Sequence, residues 1–215
     1  MIVGITQRID NIKGRSELRD ALDQKLTQWL IQAGLLPVSI PNSLFGMYCS
    51  GEIKDELIFN SWLQAIRPQA LILSGGNDIH EYPQRDATER HLLSWAEANQ
   101  VPVLGICRGL QIMADWAGTS LTQVEGHVGT QHKLVVSDRA NEWPATVNSY
   151  HNWSPSECPS QYEVMAQAED GAIEAMRHIS LPWEGWMWHP EREEPFCRID
   201  MLRIKRLFDE KQIGN

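Results

Sequence analysis

Two short stretches of this sequence hold residues whose types and spacing could do chemistry: "GICRG" at 105–109 and "HPE" at 189–191. A thiolate nucleophile needs a base to activate it, and that base needs a group to orient it. Cys107, His189 and Glu191 supply one of each. A carboxylate at Glu191 can accept the Nδ1–H of His189, which leaves Nε2 facing the sulfur. The chemistry such a set performs is acyl transfer through cysteine. Each piece alone reads equally as something plainer: a buried cysteine at a tight turn, a histidine at a strand end, a loop charge. Their joint occurrence, each at a strand end, favours catalysis.

Positioning comes next. "VPVL" reads as a strand running into Gly105, and "GLQIMADWAG" as the helix that follows. A nucleophile on a sharp strand-to-helix turn needs small neighbours, which Gly105 and Gly109 provide. The helix N-terminus favours a thiolate, and the N–H of Arg108 would face a developing oxyanion. In an open parallel sheet, ligands bind beyond the carboxyl ends of the strands.

The rest of the chain supplies that sheet. "IVGIT", "LLPVSIP", "ALILSGG" and "VPVLGI" read as buried strands. Between them, "SELRDALDQKLTQWLIQAG", "IKDELIFNSWLQAI" and "DATERHLLSWAEANQ" carry apolar residues at helical spacing. Gly34 suits the end of the first helix, and Asp86 with Glu89 has capping-box spacing at the start of the third. Alternating strands and helices predict an α/β fold whose mostly parallel sheet is covered on both faces. After about residue 120 the pattern shifts to strands at "HKLVVS", "YEVMAQA", "AIEAMRH" and "GWMWH", with a turn at Asp170-Gly171. "MLRIKRLFDEKQI" closes the chain as an amphipathic helix. No repeat or linker interrupts residues 1–215, so a single domain is expected.

Bulk properties exclude some functions. A net charge of -9 disfavours a nucleic-acid partner. No apolar run approaches a membrane span, and the N-terminus lacks the features of a signal peptide. Cys49, Cys107, Cys158 and Cys197 form no CxxC pair, so a reducing cytoplasm fits. The spacings of His127, His132 and His151 match no metal-ligand pattern, and no metal is expected.

"GICRGLQ" followed by "HPE" resembles the class I glutamine amidotransferase family, with its G-x-C-x-G-x-Q and late H-P-E. "IVGIT", "LILSGGNDIHEYPQRDATE" and "VNSYHNW" are similar to segments of its γ-glutamyl hydrolase branch. The resemblance implies a three-layer, flavodoxin-like fold with a cysteine nucleophile elbow. It implies that Cys107 is the nucleophile, His189 the general base and acid, and Glu191 the residue that orients His189. Gly76 would join Arg108 in the oxyanion hole. Gln111 would line the γ-glutamyl pocket, and Ser149, Tyr150 and His151 the segment that grips the substrate's amino and carboxylate groups. The implied reaction is hydrolysis of a small-molecule γ-glutamyl amide through a thioester, with no cofactor.

One departure bears on the leaving group. Members acting on γ-glutamyl derivatives of small amines commonly continue the histidine of the N-S motif with His-Gln; here Asn152-Trp153 follow His151. The "WMWHPERE" stretch is similar to a sub-branch that removes a γ-glutamyl group from a nucleotide-linked amidate in surface-sugar biosynthesis. Trp183, Trp186 and Trp188 read either as leaving-group contacts or as packing. Three functions stay open: a stand-alone hydrolase, a glutaminase subunit feeding ammonia to a synthetase partner, and a non-catalytic scaffold. A homodimer stays open as well.

Overall fold

The computed structural model describes residues 1–44, 52–137 and 143–209. Cys49 and the last residues of the expected closing helix lie outside them.

Strand β1 (Ile2–Thr6) opens the chain, and a short antiparallel ribbon follows, β2 (Arg8–Asn11) with β3 (Leu18–Ala21). Helix α1 (Gln24–Gln32) is therefore shorter than the expected helix from Ser16. The reason is local. Asp23 accepts a hydrogen bond from the Lys25 N–H and caps the helix there, while exposed Leu18 belongs to the ribbon. Past the C-terminus, Gly34 at φ +81° lets its own N–H reach Ile31 O and that of Leu35 reach Leu30 O, a Schellman ending.

Next come β4 (Leu36–Ile40), α2 (Glu52–Ile66), β5 (Ala70–Leu73), α3 (Pro83–Asn99), β6 (Val103–Ile106) and α4 (Arg108–Trp116). Capping by Asp86 does not occur. Helix α3 starts at Pro83, and Asp86 and Glu89 are buried as ion-pair partners of Arg108 and Arg85. Short strands follow: β7 (Leu121–Gln123), β8 (Val128–Lys133), β9 (Val135–Val136), β10 (Thr146–Tyr150) and β11 (Trp153–Pro155). The chain then runs through β12 (Tyr162–Gln167), β13 (Ile173–His178), β14 (Trp183–Trp186) and α5 (Arg198–Asp209). Gly171, at φ +93°, makes the turn between β12 and β13.

The central sheet has eight strands in the order β4-β1-β5-β6-β14-β13-β12-β9. The first five run parallel and the rest antiparallel. Side chains alternate across it, as strand geometry requires. Ala70 and Ile72 face a core with Trp29 and Leu30 of α1 and Leu207 and Phe208 of α5. Leu71 and Leu73 face a second core with Phe59 of α2, Leu92 of α3 and Leu110 of α4. The result is three layers. Two small sheets, β8 with β10 and β7 with β11, lie apart from the main one. Among the described residues no helix is long and apolar enough to cross a membrane.

Candidate active site

Strands β5, β6 and β14 are neighbours in the sheet. Beyond their carboxyl ends come Ser74–Gly76, Cys107 and His189 in turn.

Cys107 sits between β6 and α4 at φ 51°, ψ −103°. A non-glycine residue at positive φ stores strain, and the surroundings must hold it there. The Cys107 N–H donates to Trp186 O at 2.7 Å, tying the turn to β14. The flanking glycines answer to close packing. A Cβ on Gly105 would lie 2.6 Å from Met113 Sδ, and one on Gly109 would collide with the Leu73 carbonyl. The turn can therefore nestle against β5 only with glycine at both places.

His189 is buried, and its Nδ1 lies 2.6 Å from Glu191 Oε1. Burial pushes the imidazole pKa down. Hydrogen bonds and charge from Cys107 and Glu191 outweigh burial and raise it to about 9. The backbone of His189 is fixed as well: its N–H donates to Asn148 Oδ1 at 3.0 Å, and Asn148 Nδ2 donates back to His189 O at 2.8 Å. Gly75 leaves room for the ring, since a Cβ there would stand 2.6 Å from His189 Cε1.

Buried Arg85 braces the Ser74–Gly76 loop from behind. Its guanidinium donates to Ser74 O at 2.7 Å, Gly75 O at 3.0 Å, Gly76 O and Asn77 Oδ1. Burial lowers its pKa to about 10, against the raising effect of Glu89. The guanidinium of Arg108 likewise turns inward to Asp86 and Glu89. Desolvation works to raise the Glu89 pKa, but the charges of Arg108 and Arg85 hold it below the usual range. These contacts leave the backbone, not the side chain, of Arg108 at the start of α4.

A cleft of about 350 Å³ opens over the sulfur, lined by Gly76, Cys107, Arg108, Gln111, Tyr150, His151 and His189. Arg8, Asp78, Glu81 and Arg192 add charges of both signs to its wall. Gln111 donates through Nε2 to Trp153 O at 2.9 Å. Tyr150 is exposed, with the Arg192 guanidinium 4.5 Å from its ring centre.

Two expected contacts need correction. Ser149 is fully buried, and its hydroxyl donates to His127 O at 2.7 Å, away from the cleft. Both ring nitrogens of His151 meet protein partners, His127 Nδ1 at 3.2 Å and Trp153 O at 3.1 Å, so neither is turned to a substrate. The tryptophans are packing: Trp183, Trp186 and Trp188 are buried, and the last two stack with centroids 5.3 Å apart. The roles of Asn148, Arg85, Arg8 and Arg192 are not visible in the sequence. Asn148 and Arg85 lie inside recognisable motifs, but nothing in a motif says which atom a side chain will hold.

A mostly parallel α/β sheet with a cysteine on the strand-to-helix turn is the class I glutamine amidotransferase-like architecture. Within it, the chain belongs to the Peptidase C26 family, whose profile matches residues 1–191. The chain is 30% identical over 209 residues to the gamma-glutamyl-CDP-amidate hydrolase of Campylobacter jejuni subsp. jejuni serotype O:2, covering 94% of this chain and 96% of that one. It is 24% identical over 222 residues to the gamma-glutamyl-gamma-aminobutyrate hydrolase of Escherichia coli O157:H7, covering 88% and 85%. A solved structure of a GMP synthase subunit from Thermoplasma acidophilum superposes with a TM-score of 0.71. The match covers 99% of this chain and 97% of that one, at 20% identity.

Proposed function

We propose that this chain is a stand-alone cysteine hydrolase that cleaves the γ-glutamyl amide bond of a small molecule and releases glutamate. One observation carries the reading: a cysteine held at positive φ lies in hydrogen-bond reach of His189, whose other nitrogen is bonded to Glu191.

The chemistry follows from that arrangement. His189, with its pKa at about 9, is an imidazolium at neutral pH. Together with the N-terminus of α4 it places positive charge beside the sulfur. The thiolate attacks the carbonyl carbon of the γ-glutamyl amide. The N–H groups of Gly76 and Arg108 hold the oxyanion. His189 gives its proton to the leaving nitrogen, the C–N bond breaks, and a γ-glutamyl thioester remains. Neutral His189 then takes a proton from water, hydroxide attacks the thioester, and the C–S bond breaks. Glutamate leaves, with thiolate and imidazolium restored. Glu191 stabilises the imidazolium and fixes its tautomer.

The leaving group we propose is a nucleotide-linked amidate. The Campylobacter relative named for such a substrate matches this chain almost end to end. Arg8 and Arg192 in the cleft wall suit phosphate oxygens, and Asp78 and Glu81 suit the α-ammonium of the glutamyl group. The test is kcat/KM measured with no other protein present, on glutamine, a γ-glutamyl-amine and a γ-glutamyl nucleotide amidate. Contacts to the nucleotide worth about 3 kcal/mol in the transition state give roughly a hundredfold preference over glutamine. Negligible activity on every amide, rescued by a synthetase, would establish the glutaminase reading instead.

A further inference from the structure

Away from the sulfur, His127, His132, His151 and Glu174 bring one ligand atom each to within 4.8 Å of one another. They come from separate parts of the chain: the turn before β8, β8 itself, the end of β10, and β13 of the main sheet. Glu174 is fully buried, yet neither carboxylate oxygen has a hydrogen-bond partner. The Nε2 of His132 is buried and unpartnered too. Two bare oxygens of a buried carboxylate are costly unless a cation answers them.

The outer hydrogen bonds fix which nitrogens carry protons. His127 Nε2 lies 2.8 Å from a carboxylate oxygen of half-exposed Asp170, an acceptor, so Nε2 is the donor. His151 Nδ1 lies 3.1 Å from the carbonyl of Trp153, which also can only accept. In neutral rings the inner atoms, His127 Nδ1 and His151 Nε2, are then both lone pairs. They face each other at 3.2 Å. Glu174 Oε1 stands 3.7 Å from the first and 3.5 Å from the second. Three lone pairs thus converge with no donor among them. A shared proton would answer one pair of atoms and leave the rest.

We infer that these four residues bind a zinc ion. Ligand atoms around tetrahedral zinc at about 2.0–2.1 Å stand about 3.3–3.4 Å apart, and the three inner separations scatter around that value. Each of the two histidines gives its far nitrogen to a carboxylate or a carbonyl, the outer shell that zinc-binding histidines characteristically have. Glu174 and Asp170 together balance the charge of a divalent ion. Four protein ligands make a closed, structural site, not a catalytic one. The absence of a sequence pattern is understandable, because the ligands sit on strands brought together only by the fold.

The ion would staple the β8–β10 ribbon to the main sheet through Glu174. A two-stranded ribbon is marginal alone, and this one carries Asn148, which holds the backbone of His189. Zinc would thereby keep the general base in place without touching substrate.

The experiment is elemental analysis of the purified, dialysed full chain after growth with zinc, beside Glu174→Gln and His132→Phe variants. One zinc per wild-type chain is expected, largely lost from both variants, with Asp170→Asn weakening zinc affinity about 10–100-fold. The unfolding midpoint of chelator-treated wild type should rise with added zinc. Should the variants fail to fold, wild type loaded with cobalt(II) decides: intense visible bands of a tetrahedral ion support the site. Zinc retained equally by folded variants, a midpoint indifferent to zinc, or no tetrahedral cobalt spectrum would overturn it.

Discussion

The guanidinium of Arg85 donates to the carbonyl of Gly75 at 3.0 Å. In a trans peptide the C=O and the following N–H point in opposite directions. Drawing the Gly75 carbonyl inward therefore turns the Gly76 N–H outward, to the side where Gly76 lines the cleft with Cys107. Arg85 is in this sense a positioning residue for the proposed oxyanion hole. Arg85→Lys keeps the charge but loses the fork that spans the loop carbonyls. It should lower kcat about 10–100-fold with little change in KM, since losing a donor outright costs about 10²–10³-fold. Equal damage to KM and kcat would mean general misfolding of the loop.

Cys107→Ala should abolish turnover, while Cys158 and Cys197 can be replaced with little catalytic loss. A glutamine-like electrophile should label Cys107 alone, as read by peptide mass mapping. The positive φ adds a stability test. Cys107→Gly should be more stable than Cys107→Ala by about 1 kcal/mol, because glycine accepts φ 51° without strain. Equal denaturant midpoints would show that the turn stores none.

His189→Ala should cost at least about 10²–10⁴-fold in kcat/KM, and Glu191→Gln less. The raised pKa of His189 also sets a pH dependence. Its folded-state value of about 9 stands above the usual 6.5, so the folded protein holds the proton more tightly. That stabilisation is complete below about pH 6.5 and is lost as pH rises through about 9. In Glu191→Gln the loss should come at lower pH. Urea unfolding of the two proteins, followed from about pH 6 to about pH 10, should converge at the alkaline end.

Asp200 behaves oppositely. Burial, opposed by a hydrogen bond from Trp188, raises its pKa to about 7, and its Oδ1 has no partner. A carboxyl held above its unfolded value of about 3.8 costs stability once pH rises beyond that value, fully so above about 7. Asp200→Asn should therefore raise the unfolding midpoint at about pH 8 and leave it nearly unchanged near about pH 4. A variant less stable at the higher pH would show that the charged form of Asp200 is the one the fold needs.

Strand and helix order was legible because buried strands and amphipathic helices leave periodic traces. The glycines around Cys107 were legible because a tight turn permits nothing larger. The start of α1 was not. Leu18 and Leu22 sit at helical spacing with the apolar residues that follow, but pairing with β2 and the cap at Asp23 decide the boundary. Asp86 and Glu89 match a capping box in spacing alone, and the arginines that claim them come from elsewhere in the fold. Ser149 and His151 lay within a recognisable segment, yet the direction of a side chain depends on strand register, which pairing with β8 sets.

The order of strands in the sheet has a consequence for synthesis. β14 is the last strand made, yet it lies inside the sheet between β6 and β13. A growing chain can shape the region around Cys107 early, but β6 keeps an open edge until β14 arrives. The same strand delivers His189 and the carbonyl that receives the Cys107 N–H. A ribosome-bound fragment ending before β14 thus holds the sulfur without its partner. Hydrolytic competence switches on in one late event, when the final strand inserts and closes the gap.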